Sequence, residues 1–430
     1  MYKLSPPAVY VHESVAAEPR YQARVDRVLA AVDNSPEVKV FTDDDLPAML
    51  AGGLLAGRVP MGTLEEIGDP ILVFNTYRFD GRRAERMEAL REAFGGSAGC
   101  QAHMGLLGYG PFTWWTEKDL EKRICRPCWR VHFQNGCVHR CHYCGLGGLL
   151  ITMVNVEDYV EQFARLIELN PWQETFLLED DADVPCLEPE LGCTGPIIEF
   201  FGTLPDKYVI LHTKTWNVGW LRDLEHNGKT IIVWSISGRT QAERIEPVAG
   251  TMAQRIEAAR EAQEYGYVVR YKFKPIIPVR GWREEAAEAV ERIFQRTRPD
   301  LITLCVFMWM DIDEMTRRID PELLDPDFLA AARADAEQMA DERVKPFGDD
   351  VRAEIYEHYF REIRKHDAEI PVSISTESAA MWRRLGGMLG AAPGTYVCGC
   401  GPNSTPWRRK LPCNAFQAAA GGPVGGFEEM

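Results

Sequence analysis

Three cysteines fall within eight residues in the segment Cys137-Val-His-Arg-Cys141-His-Tyr-Cys144. With three and then two residues between them, the thiols would surround one small group on a tight loop. Cysteine thiolates hold iron–sulfur clusters, in which each iron needs a terminal ligand. Three cysteines on a four-iron cluster leave one iron open to a small molecule. The spacing therefore predicts a catalytic 4Fe-4S site with Cys137, Cys141 and Cys144 as its ligands.

A zinc site is the alternative interpretation of this loop. Its fourth ligand would come from elsewhere, for example from His139 or His142. Zinc sites more often use paired C-x2-C knuckles. The alternative function is then a zinc-stabilised binding protein without catalysis.

Five further cysteines form two smaller groups. Cys125 and Cys128 are separated by two residues, and Cys398-Gly-Cys400 is followed by Cys413. The glycines beside the C-terminal cysteines suit a metal-binding loop. Three interpretations stay open for these residues: a second iron–sulfur cluster, a zinc site, or unligated thiols.

Composition limits the classes of protein that could carry these cysteines. The 430 residues include 48 Lys and Arg against 64 Asp and Glu, which gives a net charge of −16. Such an acidic chain disfavours a protein whose main task is to grip nucleic acid, because phosphate binding needs a basic face. No apolar run is long enough to span a membrane, and the N-terminus lacks a signal-peptide pattern. We therefore expect a cytoplasmic protein with no membrane partner, where clustered cysteines favour metal binding over disulfides.

From Val131 onward, short apolar segments alternate with amphipathic helices. This order predicts a parallel sheet with helical crossovers. Seven strands are predicted: 130–133, 175–178, 208–211, 230–236, 268–277, 301–307 and 372–374. We expect an α/β fold, a partial (β/α)6 TIM-like barrel, whose active site lies at the carboxyl ends of the strands.

The chain divides into three predicted regions. Residues 1–125 would form a small N-terminal α/β region, and residues 126–390 the partial barrel. Residues 391–430 would form a cysteine-containing C-terminal extension that ends in a flexible tail.

The motif C-x3-C-x2-C after a first strand, with an aromatic residue before its last cysteine, resembles the radical S-adenosylmethionine superfamily. The resemblance implies that the open iron binds the amino and carboxylate groups of S-adenosylmethionine. It also implies reductive cleavage of this cosubstrate and hydrogen abstraction from an organic substrate by the resulting 5′-deoxyadenosyl radical. An electron donor such as flavodoxin or ferredoxin is then expected as a partner.

Within the superfamily, the chain resembles the spore photoproduct lyase family from about residue 8 to about residue 389. The similar segments are VYVHES, GCVHRCHYC, ILHTKTW, HNGKTIIVWSIS, RIEAAREAQEYGY, PIIPVRGW and ISTESAAMW. The resemblance implies that Tyr143 packs on the cluster and adenine, and that Lys214 and Ser235 contact the methionine end of the cosubstrate. It also implies that Glu179, at the end of the second barrel strand, receives the methionine amine.

One position departs from the family pattern. Spore photoproduct lyases carry a hydrogen-donating cysteine shortly after the second strand, and the matching residue here is Asp180. A carboxylate cannot replace a thiol in this role, because its O–H bond is far stronger. Cys186 and Cys193 lie a few residues further on and would be the displaced donors.

The departure and the acidic charge favour a radical S-adenosylmethionine enzyme that acts on a small molecule or a peptide. The alternative is a repair lyase of the spore photoproduct type that splits a thymine dimer in DNA.

Overall fold

The computed structural model describes residues 1–54, 68–94, 101–110 and 112–412. The strands in these ranges are β1 (Ala8–His12), β2 (Glu37–Phe41), β3 (Ile71–Asn75), β4 (Phe112–Trp115), β5 (Cys128–Val131), β6 (Gln134–Asn135), β7 (Leu149–Met153), β8 (Thr175–Leu178), β9 (Tyr208–Thr213), β10 (Thr230–Ile236), β11 (Val268–Ile276), β12 (Ile302–Val306) and β13 (Val372–Ile374).

The helices in the same ranges are α1 (Glu13–Ala16), α2 (Pro19–Ala31), α3 (Leu46–Ala51), α4 (Arg83–Phe94), α5 (Gln101–Leu106), α6 (Val156–Leu169), α7 (Thr194–Gly202), α8 (Arg239–Arg244), α9 (Met252–Glu264), α10 (Trp282–Arg296), α11 (Ile312–Arg318), α12 (Pro326–Ala334), α13 (Ala336–Met339), α14 (Asp349–Arg364) and α15 (Ala379–Leu389). Within the described part of the chain, none of them is long and apolar enough to cross a membrane.

The larger sheet has eight strands in the order β13-β12-β11-β10-β9-β8-β5-β4. All neighbouring pairs from β5 to β13 are parallel, and β4 adds an antiparallel edge. A single antiparallel bridge joins Ile124, just before β5, to Glu377, just after β13. This α/β sheet with helical crossovers confirms the predicted fold class, and the described residues form no continuous pairing between its two edge strands.

The smaller sheet has five strands in the order β2-β1-β3-β7-β6. The chain enters the large sheet at β4 and β5, then returns to the small sheet at β6 and β7. Strands β6 and β7, which follow residue 125, therefore pair in the same sheet as the N-terminal strands. The predicted domain boundary at residue 125 stays a prediction. The segment that joins β6 to β7 is the three-cysteine loop, so the loop belongs to the smaller sheet but lines a cavity together with residues at the ends of large-sheet strands.

The helix and strand patterns of the sequence agree closely with these elements. The helix α6 buries Tyr159, Phe163, Leu166 and Ile167, the stripe expected from the 3.6-residue period. Strands β8, β10 and β13 have the predicted bounds. The strand β7 was not predicted, because its apolar run LLITM follows glycines and is too short for a periodicity argument.

Residues 391–412 pack against the amino ends of the large sheet. The guanidinium of Arg270, in β11, donates to the carbonyl of Ser404 at 2.7 Å and pairs with the buried Asp300 at 2.7 Å. The hydroxyl of Thr175, at the start of β8, donates to the carbonyl of Gly401 at 2.8 Å. The predicted flexible tail and Cys413 lie outside the described residues.

Candidate functional site

The three-cysteine loop is closed by its own backbone. The N–H of Cys137 donates to the carbonyl of Leu146 at 2.7 Å, and the N–H of Cys144 to that of Cys141 at 2.9 Å. Gly136 opens the loop with φ of 109°, and a Cβ there would lie 1.9 Å from the carbonyl oxygen of Leu149. Only glycine allows this close approach, so the sequence dictates the tight turn.

The loop faces a cavity of about 290 Å³ at the carboxyl ends of strands β8 to β12. This is the end at which barrel-like α/β folds place their active sites. The lining includes Cys137, Cys141, Tyr143, Cys144, Asp180, Asp183, His212, Lys214, Ser235, Lys272, Lys274 and Trp309.

The three cysteines form a donor set that suits a metal cluster. All three are free thiols. Burial raises the pKa of each thiol, to about 12 for Cys141, because a bare thiolate is poorly solvated there. Lys214 lowers the pKa of Cys141 and Cys144 but does not offset burial. A cluster of iron ions supplies the positive charge that three buried thiolates require, so these residues fit a 4Fe-4S group.

A buried carboxylate links the loop to the second and third barrel strands. Asp183 lies 2.7 Å from Nε2 of His139, and it accepts hydrogen bonds from the Thr213 hydroxyl at 2.7 Å and the Lys214 N–H at 2.6 Å. Burial raises the pKa of Asp183, but His139 and these hydrogen bonds outweigh it and hold the pKa below its usual range. Asp183 thereby orients the backbone from which Lys214 enters the cavity.

A second buried network fixes Tyr143. Its hydroxyl donates to Glu246 at 2.6 Å, and Glu246 pairs with Arg255 at 2.6 Å. Ser237 also donates to Glu246, at 3.1 Å. Burial raises the pKa of Glu246, but Arg255 and Lys214 lower it to about 2. The ionised carboxylate thus holds the Tyr143 ring at the cavity, with the Lys214 ammonium 5.7 Å from the ring centroid.

Asp180 lines the cavity as one half of an ion pair. Its carboxylate lies 2.7 Å from Nε2 of the buried His132, while Glu179 and Asp181 lie 3.2 Å and 3.7 Å from Nδ1. Burial lowers the pKa of His132, but the three carboxylates raise it to about 9. The imidazolium offsets part of the repulsion expected when carboxylates gather at one strand end.

Glu179 does not line the cavity. Its carboxylate accepts hydrogen bonds from the backbone N–H groups of Gln134 and Asp181, both at 3.1 Å. Burial raises the pKa of Glu179 to about 8. The predicted receiver of the methionine amine therefore faces His132 and the backbone of β6 in this structure.

The predicted displaced hydrogen donors also lie away from the cavity wall. The Cys186 thiol is buried behind the loop, 3.5 Å from Nε2 of His139. The Cys193 thiol is buried at the start of α7, 4.0 Å from the carbonyls of Val154 and Leu191. Neither residue lines the cavity.

The side of the cavity formed by β11 carries lysines. Lys272 and Lys274, on β11, join Lys214 in the lining. Burial lowers the pKa of Lys272, and Lys274 lowers it further. Burial and Lys272 lower the pKa of His212 to about 3, so that imidazole is neutral. The cavity is therefore cationic on this side, although the chain as a whole is acidic.

Several residues of the site were not predicted from the sequence. His132, Glu246, Arg255 and Lys272 carry no motif of their own, and Asp183 was one carboxylate among several in an acidic run. A signal existed for Lys272, which alternates with Lys274 along a strand and therefore shares its face. The partners of Glu246 come from distant segments, so no local pattern could have identified it.

The central part of the chain is similar to known proteins. Residues 121–309 match the spore photoproduct lyase family. The chain is 29% identical over 170 residues to the spore photoproduct lyase of Bacillus subtilis (strain 168), covering 38% of this chain and 50% of that protein. It is 25% identical over 176 residues to that of Geobacillus sp. (strain Y412MC61), with the same coverage. The chain thus spans about half the length of the curated relatives it matches.

Solved structures extend the likeness in fold over most of the chain. Spore photoproduct lyase complexed with dinucleoside spore photoproduct aligns with a TM-score of 0.57 at 16% identity, covering 86% of this chain and 98% of that one. A double mutant with bound AdoMet and dinucleoside spore photoproduct aligns with the same TM-score and coverage at 17% identity. The resemblance predicted from the sequence is confirmed: residues 121–309 match the spore photoproduct lyase family, and the fold is similar to that of solved spore photoproduct lyases over most of the chain.

Proposed function

We propose that the protein is a radical S-adenosylmethionine enzyme of the spore photoproduct lyase type. The observation that carries the proposal is the cavity itself, where three free thiols of one loop face Lys214, Tyr143 and Ser235. Cys137, Cys141 and Cys144 would hold a 4Fe-4S cluster. When bound, the cluster supplies the electron that cleaves S-adenosylmethionine and so starts hydrogen abstraction from the substrate.

The protein's own residues would bind and orient the cosubstrate. The Lys214 ammonium would pair with the carboxylate of the cosubstrate through a charge-assisted hydrogen bond, which is among the strong ones in proteins. The ring of Tyr143, fixed by Glu246, forms an apolar wall beside the cysteines. The indole of Trp309 donates to the Tyr143 carbonyl at 3.4 Å and covers the same side, which would limit water near the reacting atoms.

For the substrate we propose a dinucleoside lesion of the spore photoproduct kind. Two observations support it: solved relatives are complexed with dinucleoside spore photoproduct, and Lys272 and Lys274 make one side of the cavity cationic. The net charge of −16 disfavours binding along a long stretch of phosphate backbone. It does not reflect the local charge of the cavity, which is lined by lysines. Within an intact strand, the phosphate between the two nucleosides of the lesion would be drawn to this local field. A flavodoxin or ferredoxin is the proposed electron donor.

One observation favours a second candidate function. Asp180, ion-paired with His132, stands on the cavity wall where the family resemblance places a hydrogen-donating thiol. The second candidate is therefore a radical S-adenosylmethionine enzyme that acts on a different small molecule or on a peptide and needs no thiol donor.

Anaerobic reconstitution with iron and sulfide, followed by addition of dithionite and S-adenosylmethionine, tests the proposed enzyme class. We expect 5′-deoxyadenosine from the wild-type chain and none from Cys141→Ala. Cys305→Ala is a matched control, because Cys305 is buried in β12 among apolar side chains away from the loop. Absence of 5′-deoxyadenosine from reconstituted wild-type protein would refute the enzyme class.

The same reaction mixture with dinucleoside spore photoproduct tests the substrate. Formation of two thymidine units supports the lyase activity. Cosubstrate cleavage without any loss of the dinucleoside would reject that substrate and support the second candidate.

A further inference from the structure

Four cysteines from two distant segments converge behind the cavity. Cys128 begins β5 and Cys125 lies three residues before it, whereas Cys398 and Cys400 follow the last helix, α15. Cys128 and Cys400 pack in one apolar cluster with Leu177, Ile210 and neighbouring strand residues. The thiols of Cys398 and Cys400 are hydrogen-bonded to each other, and each interacts electrostatically with Cys125.

The C-terminal segment is held firmly in this position. Nε2 of His212 lies 3.0 Å from the carbonyl of Gly399, between the two cysteines. The N–H of Gly401 donates to the Cys398 sulfur at 3.1 Å. A Cβ on Gly401 would lie 2.7 Å from Cδ of Arg126, so glycine lets the segment approach the Cys125–Cys128 turn closely. The two segments that carry the four cysteines are therefore held in direct contact.

We propose that Cys125, Cys128, Cys398 and Cys400 hold a second iron–sulfur cluster. The site is separate from the three-cysteine loop, and the proposal does not depend on the function proposed above. All four residues are free thiols. Four thiolates are the usual ligand set of a four-iron cluster that has no open iron.

Four thiolates can hold either a four-iron cluster or a single zinc ion, and the metal content distinguishes the two. A tetrahedral zinc ion with Zn–S distances of about 2.3 Å holds its sulfurs about 3.8 Å apart. Thiolates that each bind a different iron of a cluster are spread more widely.

The surroundings provide the charge that such a cluster needs. Four thiolates on a cluster carry net negative charge, and the nearby cations are Arg126, Lys272 and Lys274. Lys272 and Lys274 also line the cavity, as does His212, which binds the Gly399 carbonyl. The second cluster would therefore lie beside the cavity, close to Lys272 and Lys274.

Metal analysis of a loop variant tests this site alone. The triple variant Cys137→Ala/Cys141→Ala/Cys144→Ala, purified and reconstituted without oxygen, removes the first cluster. We expect it to keep about four iron and about four sulfide per chain, against about eight of each in the wild type. A reduced-state electron paramagnetic resonance signal should persist in the variant. Adding Cys398→Ser and Cys400→Ser should remove both the iron and the signal.

Each other outcome overturns the proposal. About one zinc without iron in the triple variant would mean a single-ion site, and no metal would mean unligated thiols. Far-UV circular dichroism checks that each variant is folded. In the otherwise intact chain, the single variant Cys400→Ser should lose iron, whereas the control variant Cys305→Ser should keep it. Failure of the proposed catalytic function would leave the iron count of the triple variant unchanged, so the two results are distinguishable.

Discussion

The ion pair between His132 and Asp180 gives the sharpest test of how this site is held together. The imidazole is 1% exposed and sits among the carboxylates of Glu179, Asp180 and Asp181. The variant His132→Gln keeps much of the side-chain volume but removes the positive charge. The carboxylates are then left without their central counter-ion, and breaking a buried pair in this way is strongly destabilising.

The size of the effect follows from the pKa of His132. A rise from 6.5 to about 9 corresponds to about 3 kcal/mol of favourable interaction in the folded state. Because the folded pKa lies above the unfolded value, this stabilisation is complete below pH 6.5 and is lost as the pH rises through about 9. We therefore expect His132→Gln to lower the free energy of unfolding by at most about 3 kcal/mol near pH 6, where Glu179, with a pKa of about 8, is protonated and adds little, and by little at pH 9.5.

Anaerobic urea titration at pH 6 and at pH 9.5, followed by tryptophan fluorescence and circular dichroism, measures the difference. His366→Gln is the matched control, because His366 is exposed and stacks on Phe294. The double variant His132→Gln/Asp180→Asn should lose less than the sum of the single losses, since the two residues are coupled. Equal midpoints for wild type and His132→Gln at pH 6, or a difference that grows with pH, would refute the reasoning.

Three further predictions concern the cavity. Lys214→Met should raise the Michaelis constant for S-adenosylmethionine about 10- to 150-fold, which is the equivalent of one charge-assisted hydrogen bond. The iron content should stay the same, and an unchanged Michaelis constant would contradict the role proposed for Lys214. Gly136→Ala should prevent loop closure and abolish iron binding by the loop, because its Cβ would meet the Leu149 carbonyl, whereas Gly145→Ala, with nothing within 4 Å of the added carbon, should bind iron normally. Asp180→Cys puts a thiol on the cavity wall and should increase the yield of repaired dinucleoside measured by liquid chromatography; no increase would argue against Asp180 as the donor position.

Local pattern was enough to predict most of the architecture. The strand β10 is buried along its length, and α6 carries a clear apolar stripe, so period and length identified both. The strands β4 and β7 were missed because their own segments are too short for a periodicity argument. The return of the chain to the small sheet at β7 also escaped prediction, since strand order within a sheet depends on contacts that no window of sequence contains.

The sequence by itself determined the ligand chemistry of the first site. Cys137, Cys141 and Cys144 are close in the chain, so their spacing alone limits how far apart the thiols can lie. Tertiary structure decided which other groups face them. It turned Glu179 toward His132, placed Asp180 on the cavity wall, and brought Glu246 under Tyr143. It also joined Cys125 and Cys128 to Cys398 and Cys400 across more than half the chain. Long-range packing controls such encounters, because strand order and crossover geometry, rather than neighbouring residues, set which side chains meet.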